Sequence, residues 1–123
     1  MQFTSFLALC AATFAVTVPA VTATGGFTAT CSTIFMPSNN FLEATCGDGR
    51  GGHTTSQLNL NACIGIASTE LICQANGNYA ALGCSGCEIV TGAFMECGCP
   101  GGAKIADLNE CVENVGGILT CAT

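Results

Sequence analysis

The segment Leu60–Cys73, LNACIGIASTELIC, occurs twice in this 123-residue chain. It returns 48 residues later as Leu108–Cys121, LNECVENVGGILTC. Both copies begin with Leu-Asn, place a cysteine before an aliphatic residue, and end on a second cysteine ten residues after the first. Repetition at a fixed spacing indicates that one structural unit is used twice.

A second match extends the repeat toward the N-terminus at an offset of 53 residues. It pairs Cys31-Ser32 and Leu42–Cys46 with Cys84-Ser85 and Met95–Cys99. The two offsets differ because the loop after Cys46 is longer than the loop after Cys99. We therefore predict two tandem units of about 50 residues, 26–75 and 76–123.

Local patterns within the units predict strands. Apolar and polar residues alternate in 42–46 and again in 95–99, which gives each segment one buried face. The turn-rich segments 47–52 and 100–102 predict hairpin connections. The Leu-Asn-x-Cys segments are long enough only for single helical turns, so the fold class is all-β. A unit of this size buries too small a core alone, and we expect both to form one domain, 24–123.

The N-terminus has the features of a signal peptide. Residues 6–18 are uncharged and mostly apolar, and small residues ending at Ala23 follow them. Cleavage after Ala23 fits the small-x-small rule, with Ala20 as the alternative, and a signal anchor is the competing interpretation. We predict a signal peptide at 1–23 and a secreted, extracellular protein. Cleavage removes Cys10 and leaves ten of eleven cysteines, an even number that suits a disulfide framework.

The charge of the chain excludes several classes of partner. Two basic residues, eight acidic residues and a formal charge of -6 cannot form a surface that neutralises phosphates. We therefore expect no nucleic-acid partner. We also expect no membrane partner, since no segment after the leader approaches the roughly 18 consecutive apolar residues of a membrane span.

The repeat constrains how the ten remaining cysteines pair. Equivalent positions favour five bridges: Cys31–Cys46, Cys84–Cys99, Cys87–Cys97, Cys63–Cys73 and Cys111–Cys121. For the last two, an equally symmetric alternative joins Cys63 to Cys121 and Cys73 to Cys111. Cys87 and Cys97 align with Ile34 and Ala44, as expected where a bridge replaces an apolar cross-strand contact. Five bridges at about 2–4 kcal/mol each would stabilise this glycine-rich chain outside the cell.

Catalytic and metal-binding interpretations are weaker. In a cytosolic protein, Cys84-Ser85-Gly86-Cys87 with Cys97-Gly98-Cys99 would suggest zinc or redox chemistry. Behind a signal peptide, disulfides are favoured. His53 is the only histidine, lies in a glycine-rich hairpin segment, and has no G-x-S-x-G motif to accompany it. We predict no catalytic residue, no metal and no cofactor, and hence no enzymatic activity.

These motifs together resemble the cyanovirin-N homologue family across essentially the whole mature chain. The resemblance is carried by Phe27–Ser32, Leu42–Cys46, Leu58–Gly65, Asn78-Tyr79, Cys84–Cys87, Cys99, Leu108–Asn114 and Gly117–Cys121. It implies a pseudo-symmetric all-β lectin whose two repeats exchange strands, with Cys31–Cys46 and Cys84–Cys99 as the shared disulfides. The best-known member of the family binds α1,2-linked mannose without catalysing a reaction.

The resemblance also implies one sugar site at each end of the molecule. The first-half site keeps Thr30 and Asn114, while Gly47 replaces an acidic residue and Asp48 is a nearby substitute. The second-half site keeps Asn76, Asn78 and Lys104. There, Gly65, Ser68 and Gly102 replace an acidic residue, an aspartate and an arginine, which removes charge-assisted hydrogen bonds.

The sequence thus favours a secreted lectin for mannose-type glycans with weakened or altered specificity. The alternative is a disulfide-stabilised secreted scaffold or effector-like protein that has lost sugar binding. Because strands can also be exchanged between chains, we expect either a monomer or a strand-swapped dimer.

Overall fold

The computed structural model describes residues 25–122 and is dominated by ten short strands. The strands are β1 (Cys31–Ser38), β2 (Phe41–Gly47), β3 (His53–Asn59), β4 (Ile64–Ala67), β5 (Glu70–Cys73), β6 (Ser85–Thr91), β7 (Phe94–Cys99), β8 (Gly102–Asp107), β9 (Val112–Val115) and β10 (Ile118–Cys121). Single helical turns cover Phe27–Ala29, Leu60–Ala62 and Leu108–Cys111. The predicted all-β class is confirmed. The predicted signal peptide, residues 1–23, lies outside the described residues.

The strands form two three-stranded antiparallel sheets and two hairpins. The sheets have the orders β1-β2-β3 and β6-β7-β8, and the hairpins are β4-β5 and β9-β10. The connections predicted from 47–52 and 100–102 join β2 to β3 and β7 to β8. In the first sheet Cys31 lies opposite Cys46, and Cys46 lies opposite Thr54.

The hairpins are exchanged between the repeats. Hairpin β9-β10, from the second repeat, packs on β2 and β3 of the first sheet. Strand β5, from the first repeat, packs against β8 of the second sheet. We call β1–β3 with β9-β10 the first lobe, and β4–β8 the second lobe. Each lobe therefore needs residues from both repeats, which is the strand exchange implied by the resemblance.

The alternating segments supply the core as predicted. Leu42, Ala44 and Cys46 on β2 are fully buried, as are Met95 and Cys97 on β7. One continuous cluster joins them to the helical turns and adds Phe27, Leu60, Ile64, Tyr79, Leu108 and Val112. The predicted helical turns at 60–62 and 108–111 are confirmed, and each begins after a side-chain cap. Asn59 accepts from the amide of Asn61, and Asp107 accepts from the amide of Asn109.

Three of the five predicted disulfides are confirmed, and the other two are corrected. Cys31–Cys46, Cys84–Cys99 and Cys87–Cys97 form as predicted. The predicted bridges Cys63–Cys73 and Cys111–Cys121 are wrong, because the bonds are Cys63–Cys121 and Cys73–Cys111, the symmetric alternative.

The register of the hairpins explains the correction. Ile64, not Cys63, lies opposite Cys73, and Val112, not Cys111, lies opposite Cys121. Cys63 and Cys111 each precede the first strand of their hairpin, so neither lies opposite the second cysteine of its own repeat. Each bonds instead to the other repeat across the junction between the lobes. Two covalent links therefore hold the exchanged arrangement together.

Tyr79 is buried in this core, and its hydroxyl donates to the carbonyl oxygen of Asn39 at 3.2 Å. Burial raises the pKa of Tyr79 above its usual value of 10.0. Above pH 10 the tyrosine hydroxyl of the unfolded chain loses a proton that Tyr79 of the folded chain retains. The free energy of unfolding should therefore fall by up to about 1.4 kcal/mol per pH unit.

This alkaline loss of stability is measurable directly, because Tyr79 is the only tyrosine and the chain has no tryptophan. Tyrosinate absorbance should rise together with the loss of the circular dichroism signal. The Tyr79→Phe variant should lose the tyrosine-dependent slope, at a cost of about 1 kcal/mol for the hydrogen bond to Asn39. Ionisation near the ordinary tyrosine pKa in a protein that stays folded would contradict the prediction.

Candidate functional site

A hydrogen-bonded cluster in the first lobe is centred on the Asn114 side chain. Its Nδ2 donates to Thr30 Oγ1 at 2.9 Å and to the Gly47 carbonyl oxygen at 2.8 Å. Its Oδ1 accepts from the Gly117 amide at 2.7 Å. Thr30 and Gly47 are held together by a backbone bond from the Gly47 amide to the Thr30 carbonyl, 2.9 Å long. One side chain from the second repeat thus joins two segments of the first.

The tip of hairpin β9-β10 brings this side chain into place. The turn consists of Gly116 and Gly117, with φ angles of 61° and 97°. Two consecutive positive φ values are typical of the tight turns that suit β-hairpins, and glycine adopts them without strain. A Cβ on Gly117 would lie 3.1 Å from Thr54 Oγ1 and 3.4 Å from Asp48 Cβ. The bare backbone at Gly117 therefore lets the hairpin tip lie against both residues.

Asp48 closes the loop between β2 and β3. Its Oδ1 accepts from the amides of Arg50, at 2.7 Å, and Gly52, at 3.1 Å. These two backbone hydrogen bonds, the one from Arg50 contributing most, hold the pKa of the Asp48 carboxyl below its usual value. Oδ2 lies beside Gly52, where a Cβ would approach it to 2.7 Å. Among the hydrogen bonds of residues 25–122, none is accepted by Oδ2.

The structure thus brings together three of the predicted site residues: Thr30, Asp48 and Asn114. Sequence reasoning missed Thr54 and Gly117, which complete the cluster. The Gly-Gly pair was a readable signal for a hairpin turn. Thr54 carried no such signal, since its place beside Asp48 depends on the register of β3 against β2.

The second-lobe residues do not form an equivalent cluster. Asn76 and Asn78 lie between β5 and β6 with positive φ, and their amides donate to the carbonyls of Ala62 and Asn61 at 2.9 and 2.8 Å. Lys104, on β8, has its Nζ 3.7 Å from Oε2 of Glu70 on β5. Within the described part of the chain, no hydrogen bond or ion pair joins Lys104 to either asparagine.

Repeat-equivalent positions show why the lobes differ. The counterparts of Thr30, Asp48 and Asn114 at the repeat offsets are Gly83, Gly101 and Ile66. None of these carries a polar side chain. A Cβ on Gly83 would lie 2.9 Å from the ring of Pro100, so the space that Thr30 fills in the first lobe borders proline in the second.

The glycine at position 65, where the resemblance implies an acidic residue in sugar-binding members of the family, also has a local explanation. Gly65 is buried, and a side chain there would collide with Gln74 Oε1 and lie 3.0 Å from the Cα of Gly77. The Gln74 side chain therefore occupies the region that a carboxylate at this position would need.

The first-lobe cluster is an open surface rather than a cleft. No ligand-sized cavity is found in the portion of the molecule that the structure describes. In the same portion, no helix is long and apolar enough to cross a bilayer. The arrangement offers an ionised carboxylate oxygen and hydroxyl groups at a shallow site, which suits contact with hydroxyl-rich ligands.

The fold defines a disulfide-rich β-protein built from two repeats that exchange hairpins. The model of the CVNH domain matches residues 27–120, so the chain belongs to the CVNH, or cyanovirin-N homologue, family. No curated protein sequence matches it.

Solved structures with this fold include several fungal proteins. The NMR structure of GzCVNH from Gibberella zeae is 22% identical with a TM-score of 0.65, and the match covers 80% of this chain and 99% of that one. TbCVNH from T. borchii is also 22% identical, with a TM-score of 0.63 and coverages of 77% and 97%. A MoCVNH3 variant, solved in complex with (N-GlcNAc)4, is 16% identical, with a TM-score of 0.67 and coverages of 79% and 97%. At these identities the likeness shows the shared fold.

Proposed function

We propose that this protein is a secreted, non-catalytic lectin that binds one neutral glycan at the first-lobe cluster. We call the surface formed by Thr30, Asp48, Thr54 and Asn114 the Asp48 site. The observation that carries the proposal is the ordered network around Asn114, which holds Thr30 beside Gly47 and lies next to Asp48 and Thr54 through Gly117. Membership of the CVNH family and the glycan bound to the MoCVNH3 variant support it.

The chemistry of the site favours an uncharged sugar. The Asp48 carboxylate is ionised at neutral pH, and its Oδ2 is available to accept a hydrogen bond from a sugar hydroxyl. Such charge-assisted bonds are roughly twice as strong as neutral ones. A sulfated or carboxylated sugar would instead be repelled by this carboxylate and by the formal charge of -6 on the protein. Mannose-type glycans follow from the family resemblance, and GlcNAc oligomers from the complex of the neighbour.

One functional site per chain follows from the asymmetry between the lobes. The second lobe has Gly83, Gly101 and Ile66 where the first has its polar side chains. Lys104 is paired with Glu70. A single copy of the chain would therefore bind a glycan without cross-linking two of them.

Secretion is part of the proposal and is supported by two features. The predicted signal peptide precedes the domain, and all ten cysteines of the described residues form disulfides, which persist in oxidising compartments.

A titration of the oxidised mature protein with neutral oligosaccharides tests the proposal. Mannose oligosaccharides and (GlcNAc)4 should be compared with sulfated oligosaccharides of similar length by NMR and calorimetry. We expect saturable binding of a neutral ligand with one site per chain. The absence of binding by every neutral sugar at about millimolar concentration, or roughly −4 kcal/mol, would overturn the proposal in favour of a scaffold without sugar binding.

A further inference from the structure

We infer that Asn114 is a positioning residue that donates no hydrogen bond to the glycan and instead sets the Thr30 hydroxyl as a donor. This inference rests on the proposed function of the Asp48 site. It assigns a specific role to a residue that the resemblance implies only as a member of the sugar site.

The Asn114 side-chain amide has no hydrogen-bond donor left for a ligand. An asparagine side chain has two N–H donors and one carbonyl oxygen. Both donors are occupied within the protein, by Thr30 Oγ1 and by the Gly47 carbonyl oxygen, at 2.9 and 2.8 Å. No donor remains for a ligand.

The orientation of this amide is fixed by its partners. The Gly47 carbonyl is an acceptor only, so it requires the NH2 group on its side. The Gly117 amide is a donor only, so at 2.7 Å it requires Oδ1 on the other side. Exchanging the nitrogen and oxygen would break both contacts. The pair of backbone groups therefore leaves a single arrangement of the side chain.

The Thr30 hydroxyl keeps a hydrogen that it can donate. Its Oγ1 accepts from Asn114, and a hydroxyl has one hydrogen of its own to donate. Thr30 is exposed, and among the described residues its hydroxyl donates to no acceptor. The hydrogen of Thr30 is therefore directed to a ligand oxygen, while Asp48 Oδ2 accepts from a ligand hydroxyl. The site presents one donor and one acceptor, a pattern that two hydroxyl groups of one sugar satisfy.

A double-mutant cycle distinguishes positioning from direct contact. Asn114→Ala and Thr30→Val should each lower affinity about tenfold, the equivalent of one hydrogen bond. If Asn114 acts through Thr30, adding Asn114→Ala to Thr30→Val should cost less than about threefold, because the hydroxyl it orients is already absent. Additive losses, about a hundredfold for the double variant, would overturn the inference while leaving the lectin proposal intact.

Two further measurements keep the outcome clear. Hydrogen exchange of the Gly117 amide should accelerate in Asn114→Ala, and the side-chain amide signals of Asn114 in the parent protein should shift little on saturation. Large shifts of those signals would also overturn the inference. Ile66→Ala, at the repeat-equivalent position, is the matched control and should leave affinity unchanged. A parent protein that binds no glycan would remove the proposed function, and the inference with it.

Discussion

Replacing Cys73 and Cys111 together by serine is expected to lower the free energy of unfolding by about 4 kcal/mol. The bridge spans 38 residues, against 15 for Cys84–Cys99. In the chain-entropy account a longer closed loop restricts the unfolded chain more, so the 15-residue bridge should contribute only about 3 kcal/mol. Removing Cys63–Cys121, which spans 58 residues, should cost as much as removing Cys73–Cys111 or slightly more.

The position of these bridges adds to the effect. Both join the first repeat to the second, whereas each of the other three joins two cysteines of the same repeat. Without them, only non-covalent packing and the chain connection hold the exchanged hairpins in one molecule.

Denaturant unfolding of the oxidised double-serine variants measures these costs, with size-exclusion chromatography to detect exchange of strands between chains. The matched control is Cys87→Ile with Cys97→Ala, which installs the pair that the first repeat has at Ile34 and Ala44. It should be destabilised less than the inter-repeat variants. A larger loss for this control, or for removal of Cys84–Cys99, would contradict the account.

Asp48→Asn is expected to lower glycan affinity about tenfold or more while leaving the fold intact. The asparagine keeps an oxygen where Oδ1 accepts from the amides of Arg50 and Gly52, so the turn is preserved. It replaces Oδ2, an ionised acceptor, by an NH2 group that cannot accept. The substitution therefore removes the proposed contact to a sugar hydroxyl without removing the support of the loop.

The pH dependence gives an independent signature of the same carboxylate. Because the pKa of Asp48 is lowered, the charged form persists below the usual value of 3.8. Affinity should hold from neutral pH down to that value and fall only as the pH drops through the lowered pKa, whereas Asp48→Asn should show no such fall. Asp107→Asn, in the second lobe, changes the net charge equally and is the control. If Asp107→Asn lost as much affinity as Asp48→Asn, the affinity would depend on the overall charge of the protein and not on the Asp48 contact.

Most of the fold could be predicted from the sequence because short segments of the chain carry the patterns that determine it. The doubled Leu-Asn-x-Cys segment, the alternation at 42–46 and 95–99, and the turns after them are short-range signals, and all of them are confirmed. Cys31 lies opposite Cys46 in the first sheet, and Cys84 and Cys99 adjoin the opposed pair Ser85 and Gly98 in the second. Bridges between neighbouring segments of this kind can be predicted from the same short-range patterns.

The pairing of Cys63, Cys73, Cys111 and Cys121 could not be reached in the same way. Partners within or between repeats are equally symmetric in sequence, and the choice depends on a one-residue register, with Ile64 opposite Cys73. It also depends on the exchange of hairpins, which is a property of tertiary packing.

Some features of the candidate site could be predicted from the sequence, whereas others depend on tertiary packing. Asn114 and Thr30 are 84 residues apart, and only the family resemblance connected them before the structure did. The losses predicted for the second-lobe site came from the resemblance, at Gly65, Ser68 and Gly102. The repeat alignment offers a further signal, since Ile66 and Gly83 carry no hydrogen-bonding side chain. The sequence could not predict that both Asn114 donors are used within the protein, because this depends on where Gly47 and Gly117 lie in the folded chain.

An NMR titration that maps amide shifts onto the chain while fixing the stoichiometry tests the central claim most directly. With a mannose or GlcNAc oligosaccharide, the account predicts saturation at one ligand per chain and backbone amide shifts concentrated at Thr30, 47–54 and 114–117. Shifts centred on Asn76, Asn78 and Lys104, or saturation at two ligands per chain, would contradict it.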